Sequence, residues 1–289
     1  MSAHHHEELM AVNDLGSIIL HKEMRTSNLP IWLEAGVFFD WFMLHTAPVY
    51  YGLGVPHGDD AGVVLIPGFM GTDIYLWEMN LWLRRVGYRP FMSDIGWNAD
   101  CLNSLVNRLM QTIVKASDET GRKVHLIGHS LGGVLARSAA VRMQDRVASI
   151  ISLGSPFRGI CAHPIVFVTV DRVRENVRRR NPEELNDDCF TSVCSCDTVS
   201  SLAIHLPIDL PHIAVYTKTD GIVDWRVCTH DDPKSNVEVV GTHIGLVFNH
   251  QVYSLVAENL ARVTALDLTK SHPSPQPKLI QIEHLAVQH

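Results

Sequence analysis

At Val124-His125-Leu126-Ile127-Gly128-His129-Ser130-Leu131-Gly132-Gly133 the chain passes from a short apolar run into a serine flanked by glycines. A run of this kind has the look of a strand buried on both faces of a parallel sheet. An Ala-rich helical segment follows, to about Met143. Gly-x-Ser-x-Gly therefore stands in the one context where it carries chemistry, with a strand before it and a helix after it. The turn is so tight that only glycines two before and two after the serine leave room for the neighbouring strand and helix. The serine is held in a strained conformation, its hydroxyl projecting out of the sheet. The helix start supplies positive dipole and free backbone N–H groups to a developing oxyanion. A glycine-rich turn with an incidental serine is the alternative, but chance seldom sets the pentapeptide between an apolar strand and a helix.

Working outward, the chain alternates strand and helix from residue 62 onward. Strands are predicted at 63–66, 89–92, 124–127, 147–153, 213–216 and 237–240. Helices are predicted at 75–86, 102–116, after Ser130, and at 251–263. That alternation means an α/β fold, a mostly parallel central sheet flanked by helices. Residues 61–160 and 211–268 form its core. The intervening 161–210 is longer than an ordinary crossover needs and is read as a cap or lid insertion. It carries Arg172, Arg174, Arg178, Arg179 and Arg180 beside an acidic patch at Glu183, Glu184, Asp187 and Asp188. Residues 1–60 are read as a helical extension packed on the core. Pro30 fits a helix start, and an aromatic stretch runs from Ile31 through Trp32, Phe38, Phe39, Trp41 and Phe42 to Met43, interrupted by Glu34 and Asp40. The Pro-rich residues 269–289 are read as a linker-like tail in which 279–287 could dock as a strand or helix.

A serine hydroxyl needs a base, and the base needs an orienting acid. With 17 histidines in the chain, only location discriminates among them. His243 follows the strand at 237–240 in a loop before the last helix and can reach back over the sheet; His250, inside that helix, is the second candidate. Asp220, followed by Gly221 in the exit loop of the strand at 213–216, is the first candidate for the acid, and Asp224 the alternative. For the oxyanion, Ile66-Pro67-Gly68-Phe69 leaves the first core strand, so the backbone N–H groups of Phe69 and Leu131 are the candidate donors. Pro67 has no N–H to give.

Composition narrows the remaining classes. The chain has 289 residues, is 46% hydrophobic and 19% charged, and has a formal charge of −7. This excludes overall disorder and coiled coil, and argues against generic binding to nucleic acid. No stretch offers 18 uncharged apolar residues, as a membrane-spanning helix would require. The opening residues lack the basic start and apolar core of a secretory signal, so a cytoplasmic location is expected. The six cysteines are too few for a disulfide framework. Cys189, Cys194 and Cys196 cluster near Asp197 and His205, which could together bind a metal. Their Cys-x4-Cys-x-Cys spacing matches no strong zinc pattern, and free thiols are expected.

Taken together, Pro67-Gly68-Phe69, the Ser130 elbow, Leu153-Gly154-Ser155-Pro156-Phe157-Arg158-Gly159, Thr219-Asp220-Gly221-Ile222-Val223 and Gly241-Thr242-His243-Ile244-Gly245-Leu246 resemble the α/β-hydrolase superfamily, and within it the bacterial lipases and esterases. The resemblance spans roughly residues 60 to 265. It departs at Pro67 and Phe157, where these lipases often carry His. It implies a carboxylic-ester hydrolase with a Ser130–His243–Asp220 triad, an acyl-enzyme intermediate, no metal and no cofactor. The expected substrate is an ester or lipid-like small molecule, with transient contact to a lipid surface as a further expectation. An acyltransferase or amidase on the same triad, a non-catalytic binding protein on this fold, and a membrane or partner module built on the aromatic helix are the competing readings.

Overall fold

The computed structural model describes residues 25–180, 189 and 194–271. Residues 1–24, the acidic patch at 183–188 and the tail from 272 lie outside the described residues. Six strands form one sheet: β1 (Gly62–Ile66), β2 (Arg89–Met92), β3 (Val124–His129), β4 (Val147–Leu153), β5 (His212–Tyr216) and β6 (Asn236–Glu238). All neighbours are parallel, in the order β2-β1-β3-β4-β5-β6. The chain thus steps outward from β1 to β2, recrosses β1 to reach β3, and then advances strand by strand. Such a reversal leaves a crevice at the carboxyl ends of the strands, where ligands bind in open α/β sheets.

Register sorts the core into two layers. Leu65, Ile127, Ile151 and Ile213 lie in one row across the sheet, because each is paired directly with the next. With Val63, Leu153 and Val215 they pack on α2 (Trp77–Arg85) and α7 (His250–Ser271). Trp82 lies in this layer, fully buried, with its indole N–H donated to the Val49 carbonyl at 2.8 Å and its ring 4.6 Å from that of Tyr253. On the other face Val64, Ile66, Val124, Leu126 and Ile150 meet α3 (Leu102–Thr120) and α4 (Leu131–Arg142). Helix α3 reaches them with Leu105, Val106, Leu109, Ile113 and Ala116, which helical periodicity gathers on one side. Each such side chain taken from water contributes about 1.5–3 kcal/mol.

The elements lie close to those expected, with differences at their edges. The helix foreseen from residue 75 begins with a 3-10 turn, Asp73–Leu76, and the last strand is shorter, ending at Glu238. Helix α7 includes His250 as its first residue and runs past residue 268 to Ser271. In the insertion, α5 (Pro164–Arg180) and the short α6 (Asp197–Ser201) are described. Val173 and Val177 of α5 pack with Ala99 against the side chain of Phe69, so this helix lies over the loop that leaves β1.

Before the sheet, a 3-10 segment (Ile31–Gly36) runs into α1 (Val37–Thr46). The buried positions of this segment are Glu34, Asp40 and Leu44, while Trp32, Phe38, Phe39, Trp41 and Phe42 are exposed. The side turned to the protein therefore carries two carboxylates, and the aromatic residues that dominate the sequence face outward. Residues Arg25–Thr26 pair in parallel with Cys161–Ala162, tying the chain before this segment to the start of the insertion. No helix among the described residues is long and apolar enough to cross a membrane.

Candidate active site

Ser130 directly follows β3 with φ 52° and ψ −124°, a left-handed conformation that a residue with a side chain rarely adopts. Such backbone costs about 1–3 kcal/mol and persists only where the surroundings over-determine it. They do so here. The Ser130 N–H is donated to the Leu153 carbonyl at 2.8 Å, locking the turn to the end of β4. A Cβ on Gly128 would lie 2.4 Å from the Gly133 nitrogen, and one on Gly132 would lie 2.4 Å from the Ile66 carbonyl oxygen. Strand and helix approach too closely at both positions for any side chain.

His243 and Asp220 are each only 3% exposed, and they meet at the carboxyl ends of β6 and β5. The His243 Nδ1 lies 2.6 Å from the Asp220 Oδ2. Against a carboxylate that nitrogen must carry the proton, which leaves Nε2 with a free lone pair. The other Asp220 oxygen, Oδ1, accepts the N–H groups of Ile222 (2.8 Å) and Val223 (2.7 Å). Burial alone would push the His243 pKa down. The Asp220 charge and hydrogen bond, with the Glu34 charge, outweigh it and hold the pKa above the ordinary 6.5. Asp224 is engaged elsewhere: its Oδ1 caps the following turn at the Arg226 N–H (3.0 Å), and its Oδ2 faces the Arg226 guanidinium at 3.2 Å. His250 opens α7 and takes no part in this cluster.

His129, the residue before the serine, connects the loops. Its Nε2 donates to the His243 carbonyl at 2.9 Å, so its Nδ1 accepts, from the Tyr75 hydroxyl at 2.8 Å. The Tyr75 oxygen in turn accepts the Gly68 N–H at 2.5 Å. Burial, and then the neighbouring His243, push the His129 pKa down to about 3, keeping this ring neutral as the tautomer requires. The elbow, the loop after β1 and the loop after β6 are thus joined by one imidazole. Its ring centroid lies 4.9 Å from that of His243. A Cβ on Gly68 would lie 3.1 Å from the Ser130 Cβ, which puts the β1 loop directly against the serine.

The two candidate oxyanion donors lie in the loop after β1 and at the start of α4. Leu131 opens α4, so its N–H has no acceptor within the helix. In the β1 loop, Gly68 donates to Tyr75, Met70 to the Asn98 carbonyl and Gly71 to the Gly68 carbonyl. These bonds fix the backbone on both sides of Phe69. Cys101, Leu102, Cys189, Cys194 and Cys196 line a separate small cavity. No group of three His, Cys, Asp or Glu side chains among the described residues is arranged to hold a metal ion.

Two further carboxylates meet the site from α1 and the turn before it. Glu34 accepts the N–H groups of Gly221, His243 and Ile244, and Asp40 accepts the Thr242 N–H and hydroxyl. Neither residue was singled out in the sequence, where both look like polar interruptions of an apolar helix. Tyr75 and His129 were likewise missed. The only available signal for His129 was its place inside the elbow motif.

Known proteins resemble parts of this chain. The palmitoyl protein thioesterase family model matches residues 93–201. A triacylglycerol lipase of Pseudarthrobacter phenanthrenivorans is 31% identical over 106 residues, 34% of this chain and 33% of the relative. One from Burkholderia plantarii is 31% identical over the same length, covering 30% of the relative. The match thus spans about a third of these curated relatives. A solved structure from a study of two metagenome-derived lipolytic enzymes, LipS and LipT, aligns with a TM-score of 0.49 at 15% identity, over 73% of this chain and 96% of that one. Six parallel strands in the order β2-β1-β3-β4-β5-β6, with a strained serine on the sharp turn after β3, give the chain an α/β-hydrolase fold, and about a third of it is similar to triacylglycerol lipases.

Proposed function

We propose that this chain is a carboxylic-ester hydrolase that works through an acyl-enzyme, with Ser130 as nucleophile, His243 as general base and acid, and Asp220 as the orienting acid. The observation that carries this reading is the 2.6 Å contact between His243 Nδ1 and Asp220 Oδ2, beside a serine held at φ 52° on the neighbouring elbow. Ser130 Oγ attacks the ester carbonyl while His243 Nε2 takes its proton. Asp220 holds the resulting imidazolium. The Phe69 and Leu131 N–H groups receive the negative oxygen, each such donor being worth about 10²–10³ in rate. His243 then delivers its proton to the leaving alcohol, and water resolves the acyl-enzyme by the reverse sequence. No step requires a metal or organic cofactor. In this reading residues 61–160 and 211–268 form the catalytic core, the segment before residue 61 a helical extension, 161–210 a cap whose α5 lies over Phe69, and 269–289 a tail.

The family-model match favours one variant of this reading, hydrolysis of a long-chain acyl thioester on the same triad. A chain-length series of p-nitrophenyl esters, run beside a palmitoyl thioester and with and without a lipid interface, separates the two. Turnover is expected for at least one ester. Ser130→Ala is expected to reduce it about 10⁶-fold and to abolish labelling by a fluorophosphonate probe. No turnover of any ester, with no labelling of Ser130, refutes the proposal.

A further inference from the structure

A buried polar contact between the N-terminal segment and the rest of the chain is made by a carboxylate. Glu34 is 8% exposed, and no ion pair among the described residues engages it. Its Oε1 accepts the Gly221 N–H at 2.8 Å and the His243 N–H at 3.0 Å, and its Oε2 accepts the Ile244 N–H at 2.9 Å. A carboxylate at this depth is costly unless hydrogen bonds satisfy it, and backbone N–H groups bonded to a charged oxygen are the strong kind. The three donors come from two separate loops, Gly221 from one and His243 and Ile244 from the other. Gly221 follows the candidate acid directly, and His243 is the candidate base itself.

We propose that Glu34 is a positioning residue of this active site: one carboxylate clamps the acid loop and the base loop in a single register and places a second negative charge beside the imidazole. The inference rests on the hydrolase reading for its catalytic meaning, but the clamp itself is independent of the substrate. Asp40 is the secondary anchor. Its Oδ2 takes the Thr242 N–H at 3.1 Å and the Thr242 hydroxyl at 3.0 Å, fixing the same loop one residue before His243. The titratable groups facing His243 are Asp220 from the loop after β5, Glu34 from the turn before α1 and His129 from the end of β3, with Asp40 behind Thr242. Of these, Asp220 and Glu34 favour the imidazolium, whereas His129 stays neutral.

Glu34→Gln tests the clamp. Glutamine keeps the shape and can accept through one oxygen, but its amide faces an N–H donor where the second oxygen was, and the charge is gone. The His243 ring is titrated by NMR in the full chain, wild type against E34Q, together with the pH dependence of kcat/KM on a p-nitrophenyl ester. The expected result is a His243 pKa lower by about half a unit or more, the acid limb of kcat/KM displaced to lower pH by the same amount, and kcat reduced about tenfold. A residue that merely staples the helix would lower thermal stability and leave the His243 titration in place; an unchanged His243 pKa in folded E34Q overturns the proposal. If E34Q does not fold, Glu34→Asp retains the charge while withdrawing it by one methylene. Its kcat is expected to fall with the His243 pKa held, and a wild-type kcat in E34D overturns the clamp. Should the wild type hydrolyse no ester, the hydrolase reading fails alone, because the NMR titration still decides the role of Glu34.

Discussion

Replacing Asp220 by asparagine changes one atom and inverts one hydrogen bond. Oδ1 of Asp220 is held by two N–H donors, Ile222 at 2.8 Å and Val223 at 2.7 Å, so the asparagine carbonyl must occupy that place. The amide nitrogen is then directed at His243 Nδ1, which lies 2.6 Å from Oδ2 in the native site. Two N–H donors cannot share that contact. The ring shifts its proton to Nε2 and presents Nδ1 as acceptor, so the nitrogen that should take the Ser130 proton already carries one. The wrong tautomer costs about 10⁴ in kcat in a comparable triad, equivalent to about 5 kcal/mol of transition-state stabilisation. KM should change little, because Asp220 is only 3% exposed. Asp224→Asn is the matched control. It loses part of a cap and an ion pair to Arg226, whose side chain is 70% exposed, and such exposed pairs are worth at most about 1 kcal/mol. Ester turnover is measured for both purified variants after circular dichroism has shown that each is folded. An Asp220→Asn enzyme within about tenfold of wild type, or an equal loss in Asp224→Asn, would show that the orienting acid has been misassigned.

Two further outcomes follow from burial and packing. His125 and His129 are buried with pKa values pushed down to about 4 and about 3 from 6.5, so folding favours their neutral forms. Their contribution is present above about pH 6.5 and is lost as pH falls toward those values, by about 2 kcal/mol for each at pH 5. Urea midpoints at pH 7 and pH 5 measure it; identical midpoints would contradict the burial of neutral rings. Gly132→Ala forces a methyl group to 2.4 Å from the Ile66 carbonyl oxygen and 2.5 Å from that of Pro67, both backbone atoms. Calorimetry should find Tm lower by roughly 5 °C or more, and an unchanged Tm would mean that strand and helix are farther apart than described.

What could be read in advance depended on whether the signal was local. Val63 to Ile66 and Val147 to Leu153 are legible as buried strands because a strand covered on both faces needs no polar alternation. The elbow is legible because its pattern is local, although the contact that demands Gly132 comes from Ile66 and Pro67 of β1 and its loop. Asp220 and His243 are singled out by their places at strand ends, and their side chains meet once β5 and β6 are adjacent. Glu34 and Asp40 were illegible for the opposite reason. Their meaning depends on backbone N–H groups from Gly221 to Ile244, about 200 residues away, and no periodicity in the N-terminal segment announces such partners. The same holds for Tyr75, which acts by joining Gly68 to His129. The aromatic stretch misdirects more actively. Hydrophobicity suggests that Trp32, Phe38 and Phe39 pack inward, yet the helix is turned so that its carboxylates do. The inward side is fixed instead by the hydrogen bonds that Glu34 and Asp40 accept from the loops beyond β5 and β6.

That orientation of the first helix bears on how the protein can be trimmed. A minimal version drawn from the strand map would begin near residue 60 and keep every strand, the elbow and all three residues assigned to chemistry. It would also strip the acceptors from Gly221, Thr242, His243 and Ile244, leaving a row of bare amides where the imidazole is hung. Such a truncation would lose its hold on the histidine and also bare the Trp82 indole N–H, so residues 31–60 have to travel with the rest in any expression or grafting experiment.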